Sequence, residues 1–447
     1  MATPVVGATL CSVLKFWASQ ALPGPCMLEY LSPTRASRIP LASAPGVLII
    51  FAYHFPPENA VGSLRPFRFY KYLTRRGLDC HVITAARGAA TDGFNEIRDP
   101  FGMERGLGNI VELGIRKIFL PGAMGIRWSG QAQQAAERIL MKHRGSAGVV
   151  FSSYPPLGPH LAAWRISSRL RLPWIADFRD PLGTALSDKY LTSTRQKLLL
   201  GLEERIVRRA RFVLANTDAA ADRLRNLYPE YSEKVHLIWN GFDPEDRVRR
   251  QPSTTRPYKI ISHVGELYTG RTVTPILESV ARLIAQKRLR PEEIRFQLVG
   301  PTDVSCLPTG NLLNSALTEG WLELRNEMIP KKDANRIASD SDGLLLLQPQ
   351  STLQVPGKLF EYLQLGHPIL AFLARQSPSE RILSQSGVLY RAVYPDSTPS
   401  ERDDRIAEFI ALPRAHIIRN NWFEQHFNVE RQTQLLHHLV QVCVNSC

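Results

Sequence analysis

Residues 46–84 read GVLIIFAYHFPPENAVGSLRPFRFYKYLTRRGLDCHVIT: a short apolar run, a loop, an amphipathic stretch, and a second apolar run. Val47 to Ala52 is unbroken and of strand length, which predicts a strand buried on both faces. Ser63 to Arg76 has helical spacing, with Ser63 as a cap, Pro66 in the tolerated first turn and Gly77 as a stop. Cys80 to Thr84 then starts the next strand. Strand, helix and strand in that order make one βαβ unit, and such units in series build a parallel sheet.

The alternation continues on the C-terminal side. Further strands are expected at Ile110 to Leu113, Val149 to Ser152, Trp174 to Ala176, Phe212 to Ala215 and Val235 to Trp239, with helices at Gln131 to His143, Pro159 to Leu170, Arg195 to Ala210 and Asp218 to Leu227. The turn-rich Asn240-Gly241-Phe242-Asp243-Pro244 and the polar stretch Arg247 to Arg256 interrupt this series. A second set of strands follows at Ile260 to Val264, Phe296 to Val299, Leu322 to Glu323, Leu344 to Leu347, Ile369 to Phe372 and Val388 to Tyr390. Helices are expected between them at Thr274 to Gln286, Lys332 to Ala338, Lys358 to Leu365 and Glu380 to Ser384. The expected class is α/β: two Rossmann-like domains, 46–243 and 244–447, with parallel sheets facing a common cleft. Val429 to Val442, with Leu435, Leu436 and Leu439 on one side, is assigned to the second domain as its closing helix. Residues 1–45, whose one acid is Glu29, read as a poorly ordered extension.

Composition narrows the function classes. The chain has 447 residues, 44% hydrophobic and 21% charged, which suits a soluble globular protein of two or three domains. No apolar run approaches the roughly 18 residues that span a bilayer. Lys and Arg number 55 against 41 acids, a net charge of +14 that calls for an anionic partner such as phosphorylated substrate or phospholipid headgroups. Nucleic acid is disfavoured, because the basic residues are scattered without an aromatic-interleaved motif. The six cysteines have neither paired metal spacing nor a disulfide pattern, so no metal site and a reducing, cytoplasmic setting are expected.

In open α/β sheets ligands sit beyond the carboxyl ends of the strands, so strand-to-helix loops should carry the chemistry. His54 to Ser63 is such a loop; it contains Glu58, and Gly62 would let the backbone approach an anion, although an ordinary turn would look the same. Asp177-Phe178-Arg179-Asp180-Pro181 ends a strand and could position an acceptor hydroxyl; alternatively Asp180 caps a turn and Arg179 pairs with an acid. Arg65, Arg68 and Arg75 read as a solvated helix face. Gly265-Glu266-Leu267-Tyr268-Thr269-Gly270-Arg271 is a glycine-bounded loop ending in a guanidinium suited to diphosphate. In Val355 to Pro368, Gly357 opens a helix whose N-terminus attracts phosphate, Lys358 adds a charge in its first turn, and Glu361 lies one turn later. The plainer alternative is that Lys358 and Glu361 form a surface pair worth under about 1 kcal/mol.

Taken in order, the Pro-Pro-Glu loop, Asp177 to Pro181, Asn240 to Asp243, Gly265 to Arg271, Ile329 to Asp342 and Pro356 to Pro368 resemble the retaining glycosyltransferases of family 4, which have the two-domain GT-B architecture. The resemblance covers the chain from about Gly46 to its C-terminal region. It implies that Arg271 and Lys358 neutralise the diphosphate of a nucleotide-sugar donor, that Glu361 contacts the ribose, and that Gly62 lies near the donor phosphate. Gly265 and Gly357 fall in the donor-binding loops, while Asp180, with Glu58, Asp177 and Arg179, falls on the acceptor side. One position departs from the pattern: Leu353 stands where the first of the family's two glutamates would hold the donor sugar. Losing that charged hydrogen bond would cost about 1.5–3 kcal/mol unless Gln350, Gln354 or backbone donors compensate.

The resulting expectation is a retaining, metal- and cofactor-independent transferase acting on a growing surface glycan or lipid-linked sugar, peripheral at the cytosolic face of an anionic membrane. The competing expectations are a sugar-nucleotide epimerase or hydrolase of the same fold and a degenerate nucleotide-sugar-binding scaffold.

Overall fold

The apolar runs of the sequence pair side by side as parallel strands in two separate sheets. The computed structural model describes residues 46–58, 61–86, 88, 94–97, 125–184, 191–246, 256–268, 270–414 and 420–446. The N-terminal extension and the strand expected at Ile110 to Leu113 lie outside the described residues.

The first sheet contains β1 (Val47–Phe51), β2 (Asp79–Thr84), β3 (Phe94–Glu96), β4 (Gly148–Tyr154), β5 (Trp174–Phe178), β6 (Phe212–Ala215) and β7 (Val235–Leu237), in the spatial order β3-β2-β1-β4-β5-β6-β7. Val47 is in register with Asp79 on one side and with Gly148 on the other. Every residue of β1, β4 and β5 is buried, as continuous apolar strands must be when helices cover both faces. The second sheet contains β8 (Lys259–Val264), β9 (Ile294–Val299), β10 (Leu322–Arg325), β11 (Gly343–Gln348), β12 (Ile369–Leu373) and β13 (Tyr390–Val393), in the order β10-β9-β8-β11-β12-β13. Strand order reverses between β1 and β4 in one sheet and between β8 and β11 in the other, so each has one switch point where a ligand crevice opens.

The expected helices form, most within two residues of their predicted ends, and several elements form that were not expected: β3 and the helices Asn311–Thr318, Pro399–Ala411 and Asn421–Phe427. The assignment of the last helix needs correcting. Val429–Val444 lies on the first sheet, where Leu436, Leu439, Val440 and Cys443 join Leu48, Ile50, Phe69 and Phe151 in one core. Its apolar stripe covers the face that the Leu64–Arg75 helix leaves open.

Two crossings of the chain make this return possible. Asn240 to Asp243 leads out of the first sheet series, and the junction of the last two helices comes back beside it. The Phe242 amide donates to the Phe427 carbonyl at 2.9 Å, and the Val429 amide donates to the Phe242 carbonyl at 3.1 Å. Gly241 is required there, because a Cβ would stand 2.0 Å from the Phe427 oxygen. The Leu64–Arg75 helix clamps the outgoing strand: Arg65 donates to the Trp239 carbonyl, Arg68 donates to the Gly241 carbonyl, and Lys71 and Tyr72 bind the Asp243 carboxylate. Arg75 pairs with Glu245. The reading of Arg65, Arg68 and Arg75 as a solvated face is therefore corrected for Arg65 and Arg68, which are committed to this crossing and, for Arg65, to a buried acid as well; Arg75 is more than half exposed and fits it.

Candidate active site

The loops that follow the strands of the two sheets meet each other. Thr217, after β6, donates its hydroxyl to the Leu353 carbonyl, after β11. Gln354 donates its side-chain amide to the Asp180 carboxylate, after β5. Arg381 binds both oxygens of Asp218 at 2.8 Å. Three ties from one set of carboxyl-end loops to the other place Asp180 and the segment 350–358 at a common crevice.

On the β8/β11 wall, extended Pro356 precedes the Gly357–Leu365 helix, and a Cβ at exposed Gly357 would meet nothing within 4 Å. No side chain thus crowds the backbone at this helix start, where an anion can approach. Lys358 turns back from this helix toward β8, bringing its Nζ to 3.0 Å from His263 Nε2. His263 Nδ1 lies 2.9 Å from the Leu345 carbonyl, which can only accept; the ring therefore carries its proton on Nδ1 and offers the Nε2 lone pair to the ammonium. Burial, with the Lys358 charge beside it, holds His263 well below the usual imidazole range, so it stays neutral. Gly265 makes room for the ammonium: its φ is 120°, and a Cβ would stand 2.9 Å from Lys358 Nζ.

Burial pushes the Lys358 ammonium down to about 7, with the neighbouring Arg271 guanidinium also lowering it, against the opposing pull of Glu361 and Glu266. Arg271 stacks over the Tyr268 ring at 4.3 Å. Among the described residues, neither Arg271 nor Lys358 has a carboxylate within ion-pair distance. Two such cations beside a helix start, without a close ion-pair partner among the described residues, form a positive wall that an external diphosphate would complete. Glu361 is partly exposed and stands 3.9 Å from Lys331. The surface pair of Lys358 with Glu361 does not form.

The opposite wall is less open than the sequence suggested. Asp177 was assigned to the acceptor side, but it is fully buried: Arg65 holds it at 2.8 Å and Ser153 donates to its other oxygen at 2.8 Å. Both carboxylate oxygens are occupied by the protein, so Asp177 is a structural anchor between β5 and the first helix. Arg179 is also committed, donating to the carbonyls of Tyr154, Pro155 and Gly62. Gly62 lies against that guanidinium, where a Cβ would be 2.5 Å from Nη1. Glu58 is exposed and pairs with His54 at 3.0 Å. Asp180 remains as the carboxylate of this wall that faces the crevice. Burial raises it above the usual carboxylate range, against the opposing pull of Arg179, Gln354 and Arg271.

Sequence reasoning missed His263, whose signal was its place two residues before Gly265 at the end of a strand. It also missed Thr217, which fixes the backbone at Leu353. A cavity of about 450 Å³ bounded by Tyr258, Glu292, Arg295 and Glu319 lies at the opposite, amino-terminal edge of the second sheet, away from the crevice.

The model of Glycosyltransferase Family 4 matches residues 66–246. Among solved structures, Anabaena HepE in complex with UDP and glucose superposes with a TM-score of 0.55 at 13% identity, covering 89% of this chain and 99% of that one. WaaG, a glycosyltransferase involved in lipopolysaccharide biosynthesis, gives 0.55 at 13% identity over 88% and 99% of the two chains. An α,α-trehalose-phosphate synthase (UDP-forming) from Burkholderia vietnamiensis gives 0.59 at 11% over 90% and 99%. No curated protein matches the sequence. Identities this low speak for the fold, two Rossmann-like domains in the GT-B manner, and the family model reaches less than half of the chain, which over residues 66–246 is similar to the glycosyltransferases of family 4.

Proposed function

We propose that this chain moves a glycosyl group from a nucleoside-diphosphate sugar to an acceptor hydroxyl, with retention of anomeric configuration. The observation that carries this reading is the cationic wall of Arg271 and Lys358 at the open start of the Gly357–Leu365 helix. As the anomeric bond breaks, negative charge grows on the leaving phosphate oxygen, and preorganised cations and amides stabilise it there. In this scheme the protein supplies the positive charge and no metal ion or cofactor is needed. Glu361, one turn along the same helix, binds the ribose, and Gly265 and Gly357 let the backbone approach the phosphates. Asp180, oriented by Gln354, positions the acceptor hydroxyl. With Leu353 in place of a glutamate, Gln350 and Gln354 are the amide side chains beside it in sequence that can contact the donor sugar. The solved HepE bound to UDP-glucose supports a uridine nucleotide sugar as the first donor to try.

A glycan or lipid-linked sugar in surface polysaccharide biosynthesis is the acceptor class proposed here, met at the cytosolic face of an anionic membrane. The excess of 14 positive charges favours that attraction, and no helix among the described residues is long and apolar enough to cross a membrane. Replacement of both Arg271 and Lys358 by Ala should abolish acceptor-dependent product from a nucleotide sugar; undiminished turnover would refute the assignment. Salt-sensitive flotation with anionic liposomes tests the membrane part.

Leu353 favours a second reading, a nucleotide-sugar-binding scaffold without turnover. Calorimetric binding of nucleoside diphosphate with no product from any donor and acceptor pair would select it.

A further inference from the structure

Asp79 and His81 lie two residues apart at the amino end of β2, so the two-residue period of a strand puts both side chains on one face. His143, which ends the Ile126–Lys142 helix, reaches the same place. His81 Nε2 is 3.1 Å from Asp79 Oδ1, and His143 Nε2 is 3.3 Å from Asp79 Oδ2. The three ligating atoms lie within 4.8 Å of one another. His143 Nδ1 is 2.9 Å from the Ile139 carbonyl, so that nitrogen carries the proton and Nε2 is left as a lone pair directed at the cluster. His81 Nε2 is buried and, for all its closeness to Asp79, lies outside hydrogen-bonding geometry.

We propose that Asp79, His81 and His143 form a binding site for one divalent transition-metal ion of zinc's type. Two atoms each about 2.0–2.1 Å from a tetrahedral zinc stand roughly 3.3–3.4 Å apart, close to the spacing of the two nitrogens from the carboxylate here. Two imidazoles and one carboxylate select a borderline-soft ion, whereas Mg²⁺ and Ca²⁺ require oxygen ligands. The Ile139 carbonyl supplies the outer-shell bond that fixes the His143 tautomer. The site is at the amino end of β2, opposite the strand ends where the transfer crevice opens. Its ion therefore ties the end of a helix to the sheet and takes no part in glycosyl transfer.

The test uses the tag-free full chain, freed of metal with a chelator and titrated calorimetrically with Zn²⁺, with Mg²⁺ as the contrasting probe. The expected result is one equivalent of zinc bound, no saturable Mg²⁺ binding, and visible absorption bands of a tetrahedral site on loading with Co²⁺. His143→Ala and Asp79→Asn, both substitutions of partly exposed side chains, should each weaken zinc binding at least tenfold. The metal-free variants should unfold at the wild-type temperature. Absence of saturable zinc binding, or zinc binding of unchanged affinity in both variants, would overturn the proposal.

Discussion

Donor binding should take up a proton, and Lys358 is where it goes. Before a ligand arrives, the Lys358 ammonium titrates at about 7, because it is buried beside Arg271 and against a neutral imidazole. A bound diphosphate would return it toward the ordinary lysine value of about 10.4. The sign follows: the protein that binds best is the protonated one, so affinity is full below pH 7 and falls as pH rises. The dissociation constant should double by about pH 7, rise roughly tenfold by pH 8 and roughly hundredfold by pH 9, a loss of about 2.7 kcal/mol. At pH 7 about half a proton should be taken up per donor bound, which makes the calorimetric enthalpy depend on the ionisation enthalpy of the buffer. UDP-glucose is a suitable probe, since its diphosphate diester does not itself titrate between pH 6 and 9. Lys358→Arg should retain binding and flatten the pH profile, because a guanidinium keeps its charge. An affinity independent of pH in the wild type, with an enthalpy independent of buffer, would refute the reasoning.

Three further outcomes are expected. Asp177→Ala leaves the Arg65 guanidinium buried without its acid and should cost about 3–5 kcal/mol in denaturant unfolding; a loss below about 1 kcal/mol would contradict the burial of the pair. Gly241→Ala forces a Cβ onto the Phe427 carbonyl and should destabilise the chain by at least about 1–3 kcal/mol, read as a lowered melting temperature. Glu361→Gln should weaken UDP binding by about 1.5–3 kcal/mol while leaving inorganic pyrophosphate binding unchanged, and equal losses for both ligands would remove the ribose assignment.

What local chemistry determines could be read directly from the residues. Continuous apolar runs of strand length such as Val47 to Ala52 and Leu344 to Leu347 alternate with amphipathic stretches, so two parallel sheets followed from that alternation. The Gly-Lys opening of the 357–365 helix was legible for the same reason, since a helix terminus and its first-turn charge are neighbours in sequence. A legible signal was also passed over: Thr398-Pro399-Ser400-Glu401 is a capping box that opens the Pro399–Ala411 helix.

Long-range pairing could not be read in this way. Asp177 and Asp180 occupy the same short motif, yet one is sealed by Arg65, 112 positions earlier, while the other meets Gln354, 174 positions later. Likewise, an amphipathic helix at Val429–Val444 announces an apolar stripe but does not name the sheet that will cover it; the pairing of Phe242 with Phe427 and Val429 carries it back to the first one. Periodicity tells a side chain whether to be buried. Which partner it meets there depends on where distant segments of the chain come to rest, and only the folded chain decides that.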